Sequence, residues 1–154
     1  MHGGASLYAS ATALAFVRQA VKKEATYFLR FFDYGTSKLI RVENDKEALE
    51  AEKLLLKHPY SGGGTSINNA IAVAINDIKK EPKKFEKVEL MLISDGEDSV
   101  SIGKKDLGEI KLNSTIIGQI NQTLKDLSET YSQVSINDII RQFNLDKSNF
   151  NQFY

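Results

Sequence analysis

Apolar positions along the chain recur in two patterns, one with helical spacing and one in short continuous runs. Helical spacing predicts helices, which lie at residues 5–21, 45–57, 67–80, 122–131 and 136–143. Asn121 can cap the fourth of these helices, and the polar segment 98–106 is expected to be a loop. Continuous or aromatic-rich runs predict strands, which lie at residues 26–33, 38–42, 88–94 and 112–119. This order predicts an α/β fold: a doubly wound, mostly parallel sheet with helices on both faces and one antiparallel edge strand.

The first half of the chain carries clear local signals. The helix from Ala5 to Val21 is apolar almost all round, so we expect it to be buried. The short link at 34–37 predicts an antiparallel hairpin between the first two strands. Asn44 and Glu47 have capping-box spacing at the start of the second helix, which should end before Pro59.

Two loops carry the candidate chemistry. Residues 61–66, Ser-Gly-Gly-Gly-Thr-Ser, enter the third helix, and Asp95-Gly96 directly follows the apolar run at 88–93. In open α/β sheets, ligands bind beyond the carboxyl ends of strands. Each loop also has a purely structural interpretation, because Asp-Gly is a common turn and threonine a common helix cap. The sequence alone therefore leaves Thr65 and Asp95 open between structural and binding roles.

The residue types in these loops narrow the chemistry. The glycine loop lacks Walker spacing and no lysine follows it, which argues against a nucleotide-phosphate loop. A hydroxyl from Thr65 and a carboxylate from Asp95 are hard oxygen ligands. Such ligands suit Mg²⁺, which keeps several waters and leaves room for an outside group.

Composition limits the class of protein. A length of 154 residues predicts one domain, at 1–143, followed by an Asn-rich tail at 144–154. Twenty basic and twenty acidic residues argue against a general binder of nucleic acid or anionic membranes. The absence of cysteine excludes thiolate chemistry. No run approaches the roughly 20 apolar residues of a membrane span, and no signal peptide is evident, so we expect a cytoplasmic protein.

Together these motifs resemble the von Willebrand factor A (VWA) family, in which three loops form a metal-ion-dependent adhesion site. Thr65 in Gly-Gly-Gly-Thr-Ser matches the second loop of that site, and Asp95 in Ile-Ser-Asp-Gly-Glu matches the third. The resemblance implies a doubly wound fold and a Mg²⁺ ion at Thr65 and Asp95. It also implies a protein partner that donates an acidic side chain to the ion.

Residues 1–5 are similar to the segment that follows the first motif in a CoxE-like subgroup. Members of that subgroup are associated with MoxR-type AAA+ ATPases. This resemblance implies an adaptor that binds such an ATPase.

The chain departs from the family at the first loop, because it contains no Asp-x-Ser-x-Ser near its start. Ser6 and Ser10 lie within the first helix and cannot replace that motif. We therefore expect a chain cut short upstream and a sheet that lacks its central strand, with a gap about one strand wide. The alternative is a sheet that is rearranged or that a partner completes. Without the first loop, we expect Mg²⁺ binding to be weak or absent in this chain.

Two functional classes remain open. The first is a non-enzymatic interaction module that uses Thr65 and Asp95 with a metal, or the same loops without one. The second is a Mg²⁺-dependent phosphohydrolase using Asp95 and Asp98, but no second carboxylate cluster or positioned lysine accompanies them. Asp98 could support the site from behind its ligands or be a solvated loop carboxylate, and we favour the solvated carboxylate. We interpret His2 and His58 as surface residues.

Overall fold

The computed structural model describes residues 4–57 and 65–142, and these belong to two compact units. Of the described residues, the first unit contains 4–31, 37–57 and 139–142, and the second contains 32–36 and 65–138. The proposed tail at 144–154, the glycines at 62–64, and His2, His58 and Pro59 lie outside the described residues.

The described elements are a mixture of helices and strands, as the apolar pattern predicts. The helices are α1 (Gly4–Lys22), α2 (Asp45–Lys57), α3 (Ile67–Lys80), α4 (Lys104–Leu107), α5 (Gln122–Leu127) and α6 (Ile136–Gln142). The strands are β1 (Tyr27–Leu29), β2 (Ile40–Val42), β3 (Glu89–Ser94), β4 (Lys111–Ile117) and β5 (Thr130–Val134). None of the helices in the described ranges is long and apolar enough to cross a membrane.

In the first unit, α1 packs by one face only. Its buried residues recur at helical spacing and are Ala5, Ala9, Ser10, Ala13, Val17 and Ala20. Leu7, Ala11 and Ala15 are exposed on another face, so the prediction of a helix buried all round was wrong. The buried face joins one cluster with α2 and the hairpin strands, and the Ser10 hydroxyl donates to the Leu55 carbonyl at 3.3 Å. The described part of this unit thus covers a single face of α1.

The predicted hairpin is confirmed, although both strands are shorter than the apolar run suggests. β1 pairs antiparallel with β2, with Tyr27 opposite Val42. The predicted cap of α2 is also confirmed, since Asn44 Oδ1 accepts from the Glu47 amide at 3.0 Å. The Glu47 carboxylate accepts from the amide of Glu43 at 2.7 Å, one residue before the position that a capping box would use.

The second unit is a three-stranded parallel sheet in the order β3-β4-β5. Isoleucines of α3 pack with residues of β3, β4, α4 and α5 in one core cluster. Its buried members are Ile67, Ile71, Ile75, Leu92, Leu107, Leu112, Ile116 and Leu124. Because the strands are parallel, their carboxyl ends meet at one edge of the sheet, and the candidate site begins there.

Two elements of this unit were missed by sequence reasoning. Tyr131 was assigned to the helix that carries Leu124 and Leu127, but it lies in β5. Its spacing of four residues from Leu127 imitates a helical face, whereas Thr130, Tyr131 and Val134 are residue types that favour strands. The segment 98–106 was expected to be a loop, and it contains the start of the short helix α4.

The described strands form two separate sheets rather than one continuous doubly wound sheet. β3 has the apolar composition of a central strand, yet within the described residues it lies at an edge of its sheet. The Val88 carbonyl accepts from the Lys111 amide at 3.3 Å, so the backbone groups of Met91 and Ile93 point away from β4. The opposite edge, β5, is polar and largely exposed, as protected edges usually are. The prediction of an α/β fold with a parallel sheet and an antiparallel strand pair is therefore confirmed.

Candidate functional site

Asp95 is the first residue after β3, at the carboxyl end of the parallel sheet. Its side chain is half-buried. Oδ1 accepts from the Ser94 hydroxyl at 3.4 Å and from the Glu97 amide at 3.3 Å. The hydroxyl of buried Ser94 in turn accepts from the Gly96 amide at 3.2 Å. Asp95 thus follows the strand end as predicted, and hydrogen bonds from residues 94 and 97 orient its carboxylate.

Gly96 makes the chain turn sharply after Asp95. Its φ of +75° lies in the left-handed region that favours glycine. A Cβ atom at this position would lie 2.8 Å from Cγ2 of Ile116 and 3.1 Å from the carbonyl oxygen of Gln119. The turn therefore packs directly against the end of β4 and the segment that follows it.

Thr65 lies two residues before α3, and it is half-buried. Ser66, not Thr65, occupies the N-cap position, and its side chain makes no capping bond. The Ser66 amide donates to the Asp33 carbonyl at 2.9 Å, which fixes the entry to the helix. The structural alternative of Thr65 as the cap of α3 is therefore wrong, and its hydroxyl is not occupied in that role.

Asp98 connects the two candidate loops. Its Oδ2 accepts from the Ile67 amide, the first amide of α3, at 2.8 Å, and its Oδ1 accepts from the Ser99 amide at 2.8 Å. The interpretation of Asp98 as a solvated carboxylate was therefore wrong. Asp98 caps α3 from a distant loop, because Ser66 leaves that helix end without a side-chain cap.

Two asparagines that sequence reasoning did not assign to the site hold the same loop. Asn68 Nδ2 donates to the Ser99 carbonyl at 2.8 Å, and its Oδ1 accepts from the Ser101 and Ile102 amides at 2.8 and 3.2 Å. Asn121, which was recognised only as a helix cap, donates to the loop through Nδ2. The sequence signal for this role was the residue type alone, because the amide group of asparagine can donate and accept hydrogen bonds at the same time.

Asp33 is a residue at the entry to α3 that sequence reasoning did not assign to the site. Its Oδ1 accepts from the Gly35 amide at 2.9 Å, and its carbonyl oxygen is the one that binds the Ser66 amide. The local signal was the Asp-Tyr-Gly turn after an aromatic strand, which resembles many turns without function.

The donor set suits a hard divalent cation, but it is small. Thr65 and Asp95 offer a hydroxyl and a carboxylate, which Mg²⁺ accepts as ligands. In the described parts of the chain, no group of three or more His, Asp or Glu residues is arranged to hold a metal ion. The two predicted ligands therefore fit Mg²⁺ chemically and leave most of its coordination positions open.

Comparisons with known proteins identify the fold. No protein-family model and no curated protein sequence matches the chain. Among solved structures, BatB from Bacteroides thetaiotaomicron is similar with a TM-score of 0.62 and 12% identity, over 93% of this chain and 88% of that one. The VWA domain of SpRpn10 has a TM-score of 0.57 and 14% identity, over 89% of this chain and 82% of that one.

A third similar structure is proximal thread matrix protein 1 of the mussel byssus, with a TM-score of 0.66 and 16% identity. It is matched over 94% of this chain but only 42% of its own length. With identities this low, the likeness concerns the fold. The chain has a VWA-like fold, which confirms that part of the sequence-based resemblance.

Proposed function

We propose that this protein is a non-enzymatic interaction module that binds a protein partner through a Mg²⁺-dependent adhesion site at Thr65 and Asp95. The observation that carries the proposal is the 2.8 Å bond from the Ile67 amide to the Asp98 carboxylate. This bond ties the loop that follows Asp95 to the helix start that follows Thr65. The VWA-like fold supports the same pairing of loops.

The ligands present suit such a role without completing it. A Mg²⁺ ion held by one hydroxyl and one carboxylate would retain open positions, which an acidic side chain of a partner can occupy. Affinity for the metal alone should be low, because two side-chain ligands replace few of its waters. In the proposed complete site, an Asp-x-Ser-x-Ser loop supplies the remaining side-chain ligands.

The partner proposed from residues 1–5 is a MoxR-type AAA+ ATPase, with the protein acting as its adaptor in the cytoplasm. Support for this partner comes only from the similarity of that segment to the CoxE-like subgroup. The adhesion-site proposal does not depend on it, since any partner with an exposed carboxylate could provide the outside ligand.

The alternative of a phosphohydrolase using Asp95 and Asp98 is weakened by the contacts of Asp98. Both of its carboxylate oxygens already accept backbone amides, from Ile67 and Ser99. A general base or metal ligand at this position would have to act while its carboxylate is held at the start of α3. Asp98 is better explained as a structural support for the loop.

Calorimetric titration with Mn²⁺ tests the proposal. The chain is compared with a completed variant, in which a designed strand that pairs with β3 and an Asp-x-Ser-x-Ser loop are fused ahead of residue 1. We expect the completed variant to bind Mn²⁺ at least about tenfold more tightly than the chain itself, because more hard ligands replace water. Asp95→Ala and Thr65→Ala should each abolish that gain.

Asp126→Ala is the matched control, because Asp126 is an exposed carboxylate of α5 that accepts from the Gln122 side chain. It should leave Mn²⁺ binding unchanged. Equal binding by the completed variant and its Asp95→Ala form would contradict the proposal. Turnover of a phosphate monoester that is lost in Asp95→Ala would instead support the phosphohydrolase.

A further inference from the structure

Asn121 uses every hydrogen-bonding group of its side chain to join the Asp95 loop to α5. Nδ2 donates to the Gly96 carbonyl at 3.1 Å and to the Asp98 carbonyl at 2.9 Å. Oδ1 accepts from the Leu124 amide at 3.0 Å, which caps α5. An amide group offers two donor hydrogens and an acceptor oxygen, so this one residue can do both. We call its bond to the Leu124 amide the cap, and its two bonds to the Gly96 and Asp98 carbonyls the clamp.

Asn121 is itself fixed from a third direction. Its backbone amide donates to the phenolic oxygen of Tyr131 on β5 at 3.0 Å. A side chain anchored by the sheet and by the start of α5 has little freedom to follow a moving loop. The Gly96 and Asp98 carbonyls are therefore held against a rigid support.

The far end of the loop is held independently. The Asp98 carboxylate accepts the Ile67 amide, and Asn68 bonds to Ser99, Ser101 and Ile102. Asp95 lies directly before the segment that Asn121 and Asp98 fix, and its carboxylate accepts from the Glu97 amide within that segment. Movement of this segment would change the orientation of the Asp95 carboxylate.

We propose that Asn121 is the positioning residue of the Asp95 site, holding residues 96–98 so that the carboxylate is oriented before a ligand arrives. The inference rests on the proposed function insofar as that ligand is a divalent cation. The clamp itself is a property of the chain without metal. Asn121 acts through the loop and is not assigned as a metal ligand.

Asn121→Ser separates the clamp from the cap. Serine caps helices about as well as asparagine but is too short to donate to the Gly96 and Asp98 carbonyls. In amide hydrogen exchange, the Glu97 and Ser99 amides should exchange roughly 10-fold to 100-fold faster, because two hydrogen bonds are lost. The Leu124 amide, which reports the cap, should change by less than about threefold. If Asn121 only stabilised the fold, the substitution would speed exchange of the Glu97, Ser99 and Leu124 amides by similar factors.

Asn121→Asp provides a second, nearly isosteric variant, since a carboxylate still caps α5 but cannot donate to the loop. It should reproduce the faster exchange at Glu97 and Ser99. Asn44→Ser is the matched control, because Asn44 makes the equivalent capping bond to Glu47 in the first unit. It should leave exchange at Glu97 and Ser99 unchanged. Unchanged loop exchange in both Asn121 variants would overturn the proposal.

A Mn²⁺ titration of the parent chain and Asn121→Ser distinguishes failure of the clamp from failure of metal binding. Broadening of the Gly96 amide signal by Mn²⁺ should need a several-fold higher metal concentration in Asn121→Ser than in the parent. Equal concentrations in the two chains would contradict a positioning role. Faster loop exchange without broadening in the parent would support the clamp and would contradict metal binding by Thr65 and Asp95 in the absence of the first loop.

Discussion

Gly96→Ala is expected to destabilise the second unit by about 2–4 kcal/mol, the sum of backbone strain and a steric clash. The φ of +75° disfavours any residue with a Cβ atom. That atom would also meet Cγ2 of Ile116 at 2.8 Å, and Ile116 is completely buried, so its side chain has little room to move. The clash should displace the loop that begins at Asp95, and metal binding should weaken with stability.

Two other glycines separate these contributions. At Gly108, φ is +59° but no atom lies within 4 Å of the added Cβ, so Gly108→Ala should show strain alone, about 1–3 kcal/mol. Gly103 has an extended backbone and only an ordinary contact at 3.9 Å, so Gly103→Ala should cost no more than about 1 kcal/mol, from the weaker N-cap that alanine gives α4. Native-state hydrogen exchange of β4 amides measures the stability of this unit. A Gly96→Ala value no larger than that of Gly103→Ala would contradict the packing described for the turn.

Ile71→Ala is expected to cost about 3–4 kcal/mol in the free energy of unfolding of the second unit. Ile71 is 1% exposed and packs in the cluster that joins α3 to the sheet, so truncation removes buried methyl groups and leaves a cavity. Because α3 carries the Ile67 amide that binds Asp98, loosening the helix should also loosen the tie between the two candidate loops.

Ile120→Ala is the control for this change, since Ile120 is 56% exposed and lies in the same unit. It should alter stability by less than about 0.5 kcal/mol. Exchange of the β4 amides again provides the measurement, and the Ser99 amide reports the loop. Equal effects of the two substitutions would mean that α3 does not pack on the sheet as described.

The sequence was most informative where the local pattern and the tertiary packing agree. The isoleucines of α3 lie at helical spacing and are buried, and the apolar run of β3 ends at Asp95 as predicted. Asn44 and Asn121 both cap helices as their positions suggest. These features depend on neighbours within a few residues, which periodicity and capping rules capture.

What the sequence did not reveal depends on contacts between distant segments. The link from Asp98 to Ile67 spans 31 positions, and no local pattern distinguishes that carboxylate from a solvated one. Tyr131 was misassigned because spacing from Leu127 cannot separate a helix from a following strand. Exposure of Leu7 on α1 depends on what packs against the helix, which its own apolar pattern does not specify.

The position of a metal ion tests the central claim most directly. Crystals of the completed variant soaked in Mn²⁺ should give an anomalous-difference peak in contact with the Thr65 hydroxyl and the Asp95 carboxylate. The peak should disappear in Asp95→Ala and persist in Asp126→Ala. A peak elsewhere on the protein, or a peak at Thr65 that survives Asp95→Ala, would contradict an adhesion-type metal site at these two loops.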